Sequence, residues 1–86
     1  MAFLEELNEA FALDLPGVIV HELGRRRRGG RIQGTIEWEG FEGLTMLDRQ
    51  NRVWDALQAR FTAEQLRAVG LISTFTPAEQ HALATG

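Results

Sequence analysis

The first helix is predicted by apolar residues that recur at three- and four-residue intervals, namely Leu4, Leu7, Phe11 and Leu15. This spacing is typical of an amphipathic helix with one apolar side turned toward a core. Pro16-Gly17 ends the pattern, and the β-branched run over residues 18–23 favours a short strand.

A second strand is indicated from residue 32 onward, where the pattern changes to strict alternation. Ile32, Gly34, Ile36 and Trp38 occupy one side, whereas Gln33, Thr35, Glu37 and Glu39 occupy the other. Such a period of two predicts a strand that is buried on one face and polar on the other. The two strands are expected to pair as a hairpin, and Gly40–Gly43 is expected to form a turn after it.

The remaining elements are two helices, a strand and a C-terminal segment. A second helix is predicted by residues that recur on one face, namely Met46, Gln50, Val53, Trp54, Leu57 and Phe61. Capping-box spacings at Thr62–Gln65 and Thr76–Glu79 predict two further helix starts, and the first of these helices is expected to stop at Gly70. Residues 71–75 read as the last strand.

This order predicts an α+β fold with a single small domain, in which helices pack on one face of a three-stranded mixed sheet. The domain is expected to span residues 1–86. Within it we expect a glycine- and arginine-rich hairpin loop at residues 24–31 and a helical or frayed tail at residues 77–86.

The charge of the chain is concentrated at that loop. The net charge is −3, and five of the nine arginines are Arg25, Arg26, Arg27, Arg28 and Arg31. The other residues carry four arginines against twelve acids, a net charge of −8. Glycines at positions 24, 29 and 30 flank the cationic run, which predicts a mobile loop on an acidic body.

The amino-acid composition excludes several kinds of functional site. The chain has no cysteine, lysine or tyrosine, which excludes a disulfide framework, a thiol or Schiff-base catalyst and a Walker-type phosphate loop. His21 and His81 are the only histidines, and Ser73 is the only serine, so neither a metal site nor a nucleophile–base pair is indicated. We therefore expect a non-catalytic cytoplasmic protein with no cofactor, no small-molecule substrate and no membrane contact.

The central segment resembles the BolA family of small stress-response morphogen proteins. The family motif runs approximately Phe-x-Gly, five residues, Arg-His-Arg and x-Val-x-x-x-Leu, and its spacing is matched without a gap by Phe41, Gly43, Arg49, Val53 and Leu57. Gly30, Thr35 and Ile36 agree with the preceding strand of the family, and Ile72, Thr76-Pro77 and Glu79 agree with its closing strand and turn. The resemblance implies an α-β-β-α-α-β fold related to the type II KH domain.

The departures from the family concern its metal-binding positions. The Arg-His-Arg triplet is Arg49-Gln50-Asn51 here, and the other family histidines fall on Arg31 and Ala68. The Cys or His of the hairpin loop is replaced by Arg25–Arg28. In the family these residues are tied to sharing an iron–sulfur cluster with a monothiol glutaredoxin. A guanidinium has no lone pair to offer iron, so we infer that cluster ligation is absent from this chain.

Two hypotheses follow. The first is a regulatory module of transcription-regulator type that binds nucleic acid through Arg25, Arg26, Arg27 and Arg28, together with Arg31, Arg49 and Arg67. The second is a protein–protein adaptor that binds a monothiol glutaredoxin or another partner without ligating a cluster. The arginines also admit plainer roles: a solvated loop for the hairpin run, surface ion pairs for the helix arginines, and a fold-holding contact for Arg49.

Overall fold

A computed structural model describes residues 2–85 and places the N-terminal apolar stripe in helix α1 (Phe3–Asp14). Leu7 and Phe11 of this helix and Leu15 just beyond it are buried, as the intervals between them predict. The second apolar stripe forms helix α2 (Met46–Arg60), from which Val53 and Leu57 enter the same core. The two stripes therefore define the two helices that cover the sheet.

The sheet has three strands in the order β1 (Ile19–Arg25), β2 (Ile32–Glu37) and β3 (Val69–Phe75). Strand β2 pairs antiparallel with β1 and parallel with β3. On its inner face Ile32, Gly34 and Ile36 are buried, whereas Gln33, Thr35 and Glu37 are only half-buried on the opposite face. The predicted hairpin, the mixed sheet and its buried side are all confirmed.

Three short elements precede or follow the strands. A single 3-10 turn (Glu39–Phe41) leads from β2 to α2, and its Phe41 is fully buried. Helix α3 (Ala63–Leu66) precedes β3, and helix α4 (Pro77–Thr85) follows it. Among residues 2–85, no helix has both the length and the apolar character needed to cross a bilayer.

Both predicted capping boxes are present. The Thr62 N–H donates to Oε1 of Gln65 at 2.9 Å, and the Gln65 N–H donates to Oγ1 of Thr62 at 3.1 Å. In the second box, the Thr76 N–H donates to Oε1 of Glu79 at 2.9 Å, and the Glu79 N–H donates to Oγ1 of Thr76 at 3.1 Å. Each box satisfies two backbone donors that a helix start otherwise leaves unpaired.

Two predicted boundaries are wrong. Strand β1 continues to Arg25, so Gly24 and Arg25 belong to the strand rather than to the loop, because they pair with Gln33 and Ile32. Helix α3 ends at Leu66 and not at Gly70, because the chain enters β3 at Val69, whose side chain is buried in the core. The free energy gained by burying Val69 outweighs the free energy that three further helical residues at the surface would contribute.

The tail at residues 77–86 was expected to be helical or frayed. Residues 77–85 form the helix α4, which has no buried residue. The two ends of the predicted domain, Met1 and Gly86, lie outside the described residues. Helix α4 is therefore held by contacts other than apolar burial.

We expect the Gly34→Ala substitution to lower the free energy of unfolding by about 1–3 kcal/mol, as overpacking of a close contact does. A Cβ at Gly34 would lie 2.8 Å from the backbone oxygen of Glu22 and 2.8 Å from Cδ1 of Leu23. Urea unfolding at neutral pH measures the effect.

The matched control is Gly24→Ala, one residue from the Leu23–Gly34 pair in the same hairpin, where an added Cβ meets nothing within 4 Å. This control should leave stability unchanged or raise it by up to about 1 kcal/mol, because alanine restricts the unfolded chain. Equal stabilities of the two variants would contradict the close strand approach at Gly34.

Candidate functional site

The hairpin between β1 and β2 ends in a closed turn that presents its arginines at one end of the sheet. The Gly30 N–H donates to the Arg27 carbonyl oxygen at 3.0 Å. Gly29 has φ +76°, a left-handed conformation that suits glycine. Nε of Arg25 donates to the Gly30 carbonyl oxygen at 2.9 Å, which joins the two sides of the turn.

We call Arg25–Arg28 and Arg31 the arginine tip. All five side chains are exposed. Within residues 2–85, no carboxylate forms an ion pair with any of them. Their positive charges are therefore balanced only by solvent, which leaves the guanidinium groups free to bind an anion.

Arg67 lies at the same end of the sheet as the tip. It follows helix α3 and is exposed. The next residue, Ala68, accepts a 2.7 Å hydrogen bond from the Ile32 N–H at the start of β2. A Cβ at Gly70 would lie 3.2 Å from Cβ of Arg31, which shows how closely the starts of β2 and β3 approach. The fold thus brings Arg67 toward the arginine tip.

Arg49 lies apart from the tip and is 7% exposed. Its Nη1 donates to the Thr74 carbonyl oxygen at 3.4 Å, near the far end of β3, and to Oε1 of Glu79 at 2.7 Å. Nη2 donates to Oε2 of Glu79 at 3.3 Å, and Nε donates to the Leu44 carbonyl oxygen at 3.2 Å. This is the fold-holding contact that was the alternative for Arg49, and it leaves the guanidinium little capacity for a ligand.

The Arg49 contact also changes the acidity of its partner. The hydrogen bond from Arg49, aided by the Thr76 N–H, lowers the pKa of Glu79 from 4.5 to about 2. Glu79 therefore stays ionised through the whole neutral and mildly acidic range. Its carboxylate both caps helix α4 and binds that helix to Arg49 of α2.

Gln50 has a structural role that the sequence did not indicate. Its Nε2 donates to the Ile72 carbonyl oxygen at 2.9 Å, beside the Arg49 contact to Thr74. Together these two side chains cap backbone carbonyls of β3 that the β2 ladder does not use, which protects an exposed sheet edge. The only sign of this role in the sequence is that Arg49 and Gln50 are adjacent polar residues in a helix that faces a strand.

The other helix arginines are also engaged. Nε and Nη2 of Arg60 donate to the two carboxylate oxygens of Asp14 at 2.5 and 2.8 Å, and this contact lowers the pKa of Asp14. Nη2 of Arg52 donates to the Asp14 carbonyl oxygen at 2.9 Å, and its guanidinium lies 5.4 Å from the Trp38 ring centroid. Arg49, Arg52 and Arg60 therefore all have partners in other elements of the fold, whereas the only such bond in the arginine tip, within the described residues, is the local one from Arg25 to the Gly30 carbonyl oxygen.

The side chains do not fit an iron–sulfur cluster. Arginines occupy the hairpin positions, and the half-buried Ala68 stands where the family has a histidine. Nε2 of His21 lies 2.9 Å from Oε1 of Glu37, and His81 is on the separate helix α4. No group of three His, Cys, Asp or Glu residues within residues 2–85 is arranged to hold a metal ion.

Comparison with solved structures identifies the fold, whereas no family model and no curated protein matches the chain. A bolA protein homologue from Coxiella burnetii is 22% identical, with a TM-score of 0.68 over 94% of this chain and 99% of that one. A bol-like protein from Babesia bovis is 23% identical, with a TM-score of 0.72 over 98% and 95% of the two chains. The BolA domain of SufE1 from Arabidopsis thaliana gives 19% identity and 0.61 over 92% and 96%. These likenesses confirm the BolA fold that the sequence predicted.

The Arg49–Glu79 pair predicts a specific loss of stability in acid. Because the pKa of Glu79 is lowered to about 2 in the folded protein, its contribution is fully present above pH 4.5 and disappears as the pH falls toward 2. We expect Glu79→Gln to be less stable than the wild type at pH 7, with the difference shrinking between pH 4.5 and 2. Urea midpoints across this range measure it.

The matched control is Glu64→Gln on helix α3, which also changes an acid in a first helical turn but has no arginine partner among the described residues. A Glu79→Gln difference that stays constant down to pH 2 would show that the ion pair is not what holds helix α4.

Proposed function

We propose that this chain is a non-catalytic regulatory module of the BolA type that binds nucleic acid through the arginine tip. The observation that carries this proposal is that five exposed arginines lie at one end of the sheet without an acidic partner among the described residues. An acidic body with one unneutralised cationic end favours an anionic ligand over a general role in solubility.

Phosphate is the anion that suits this tip best. Each guanidinium offers a planar pair of N–H donors that matches two phosphate oxygens. Arg25 belongs to the last ladder pair, opposite Ile32, and Arg26–Arg28 and Arg31 lie beyond that pair. A row of guanidiniums along one turn follows a phosphate backbone better than it surrounds a single small anion. Arg67 extends the same end, and Arg49 is left out because its donors are used within the fold.

The adaptor hypothesis is supported by a different feature at the opposite end of β3. There Met46, Phe75 and Leu83 line an apolar groove of about 360 Å³ around the Arg49–Glu79 pair. Met46 and Leu83 are 59% and 62% exposed. Apolar side chains grouped in this way are typical of protein contact sites, so a protein partner is the second candidate, with a monothiol glutaredoxin as the partner the family implies.

We expect replacement of Arg25–Arg28 by serine to remove most of the salt-dependent part of oligonucleotide binding. Four phosphate contacts contribute about −3 to the slope of log affinity against log salt on single strands and about −4 on duplex DNA. The variant should lose that part of the slope and keep only what Arg31 and Arg67 contribute. Fluorescence anisotropy with labelled oligonucleotides at several salt concentrations measures both slopes.

A charge-matched pair of double variants tests whether binding depends on the position of the arginines or only on the net charge of the protein. Arg26→Ser/Arg27→Ser removes two charges from the tip, and Arg52→Ser/Arg60→Ser removes two from helix α2. Only the first should weaken binding. Negligible binding by the wild type at low salt, or equal weakening in both variants, would overturn the nucleic-acid proposal. Binding of a monothiol glutaredoxin instead would support the adaptor.

A further inference from the structure

The outer face of the sheet carries a shallow trough that begins at the arginine tip. Its volume is about 330 Å³, at the lower end of the range for small-ligand pockets. The trough extends from Arg25 and Arg26 across all three strands, and its other lining side chains are those of Glu22, Gln33, Thr35, Leu71 and Ser73. It therefore lies where a strand bound at the tip would next meet the protein.

Two features of strand β1 make this face concave. Gly24 lies opposite Gln33, and a side chain there would meet nothing within 4 Å, so its absence leaves open space. The pairing with β2 shifts between Val20 and Glu22, which leaves His21 as an extra residue. Such a bulge bends and twists the strand that carries it.

The floor of the trough offers hydrogen-bonding groups that the fold does not use. Thr35 and Ser73 are register partners on adjacent strands, and Gln33 lies on the same face. Across the described part of the chain, none of these three side chains has a hydrogen-bond partner. Hydroxyl and amide groups both donate and accept, so together they suit the edge of a nucleobase.

One wall of the trough is apolar. Leu71 is 63% exposed, so its aliphatic side chain is open to a ligand on this face. It stands beside the unpaired polar groups rather than in the core. A flat ring placed against Leu71 would bury its apolar surface and still reach the hydroxyls of Thr35 and Ser73.

We propose that the trough binds one base of a single-stranded nucleic acid whose phosphates are held by the arginine tip. This inference rests on the proposed function and specifies its ligand. The base must be unpaired, because its edge meets the sheet only when no complementary strand occupies it.

The test compares three ligands of equal length that separate charge from bases: an eight-mer of deoxythymidine, an abasic eight-mer and an eight-base-pair duplex. The abasic strand keeps the phosphates but has no base to fill the trough, so the wild type should bind the deoxythymidine strand at least about tenfold more tightly than the abasic strand. Comparison with an eight-mer of uridine shows whether the protein binds single-stranded RNA or DNA more tightly.

Two variants keep every arginine and alter only the trough. Thr35→Val/Ser73→Ala removes its hydroxyls, and Leu71→Ser removes its apolar wall from an exposed position that the core does not need. Each should reduce the tenfold preference toward one while binding to the abasic strand is unchanged. Urea unfolding confirms that the variants are folded.

The outcomes separate the two proposals. Equal binding of the first two ligands by the wild type, tighter binding of the duplex, or a preference that survives both variants would overturn the trough and leave the arginine tip standing. Binding of none of the ligands would overturn the proposed function and the trough together.

Discussion

The buried guanidinium of Arg49 makes the polar contact that ties helix α4 to the rest of the fold. It joins the loop before α2 at Leu44, the end of β3 at Thr74 and helix α4 at Glu79. Helix α4 has no buried residue of its own, so this ion pair and the capping box at Thr76 hold it. A buried charge is tolerated here because its donors are met by carbonyl oxygens and a carboxylate.

This arrangement divides the arginines into two groups. Arg49, Arg52 and Arg60 form contacts with other elements of the fold, and each contact uses guanidinium donors that a ligand would otherwise bind. The arginine tip has no carboxylate partner among the described residues and lies at the other end of the sheet from Arg49. The sequence shows nine similar side chains, but the fold gives them different chemical roles because only some lie near acids or free carbonyl groups.

Sequence patterns predicted the fold well where a local rule governs the structure. The alternation from Ile32 and both capping boxes are decided by residues close in the chain, and the structure confirms them. The end of α3 was mispredicted because Val69 is drawn into β3 by a partner more than thirty residues away. The roles of Arg49 and Gln50 and the trough beside Leu71 depend on neighbours from separate elements, which no spacing along the chain reveals.

Nuclear magnetic resonance of the arginine Nε–H groups tests this division of the arginines most directly. The account predicts that the Arg49 signal exchanges slowly with water and does not move when a single-stranded oligonucleotide is added. The signals of Arg26, Arg27 and Arg28 should exchange rapidly and shift on binding. A shifted, rapidly exchanging Arg49 signal beside unchanged tip signals would contradict the account.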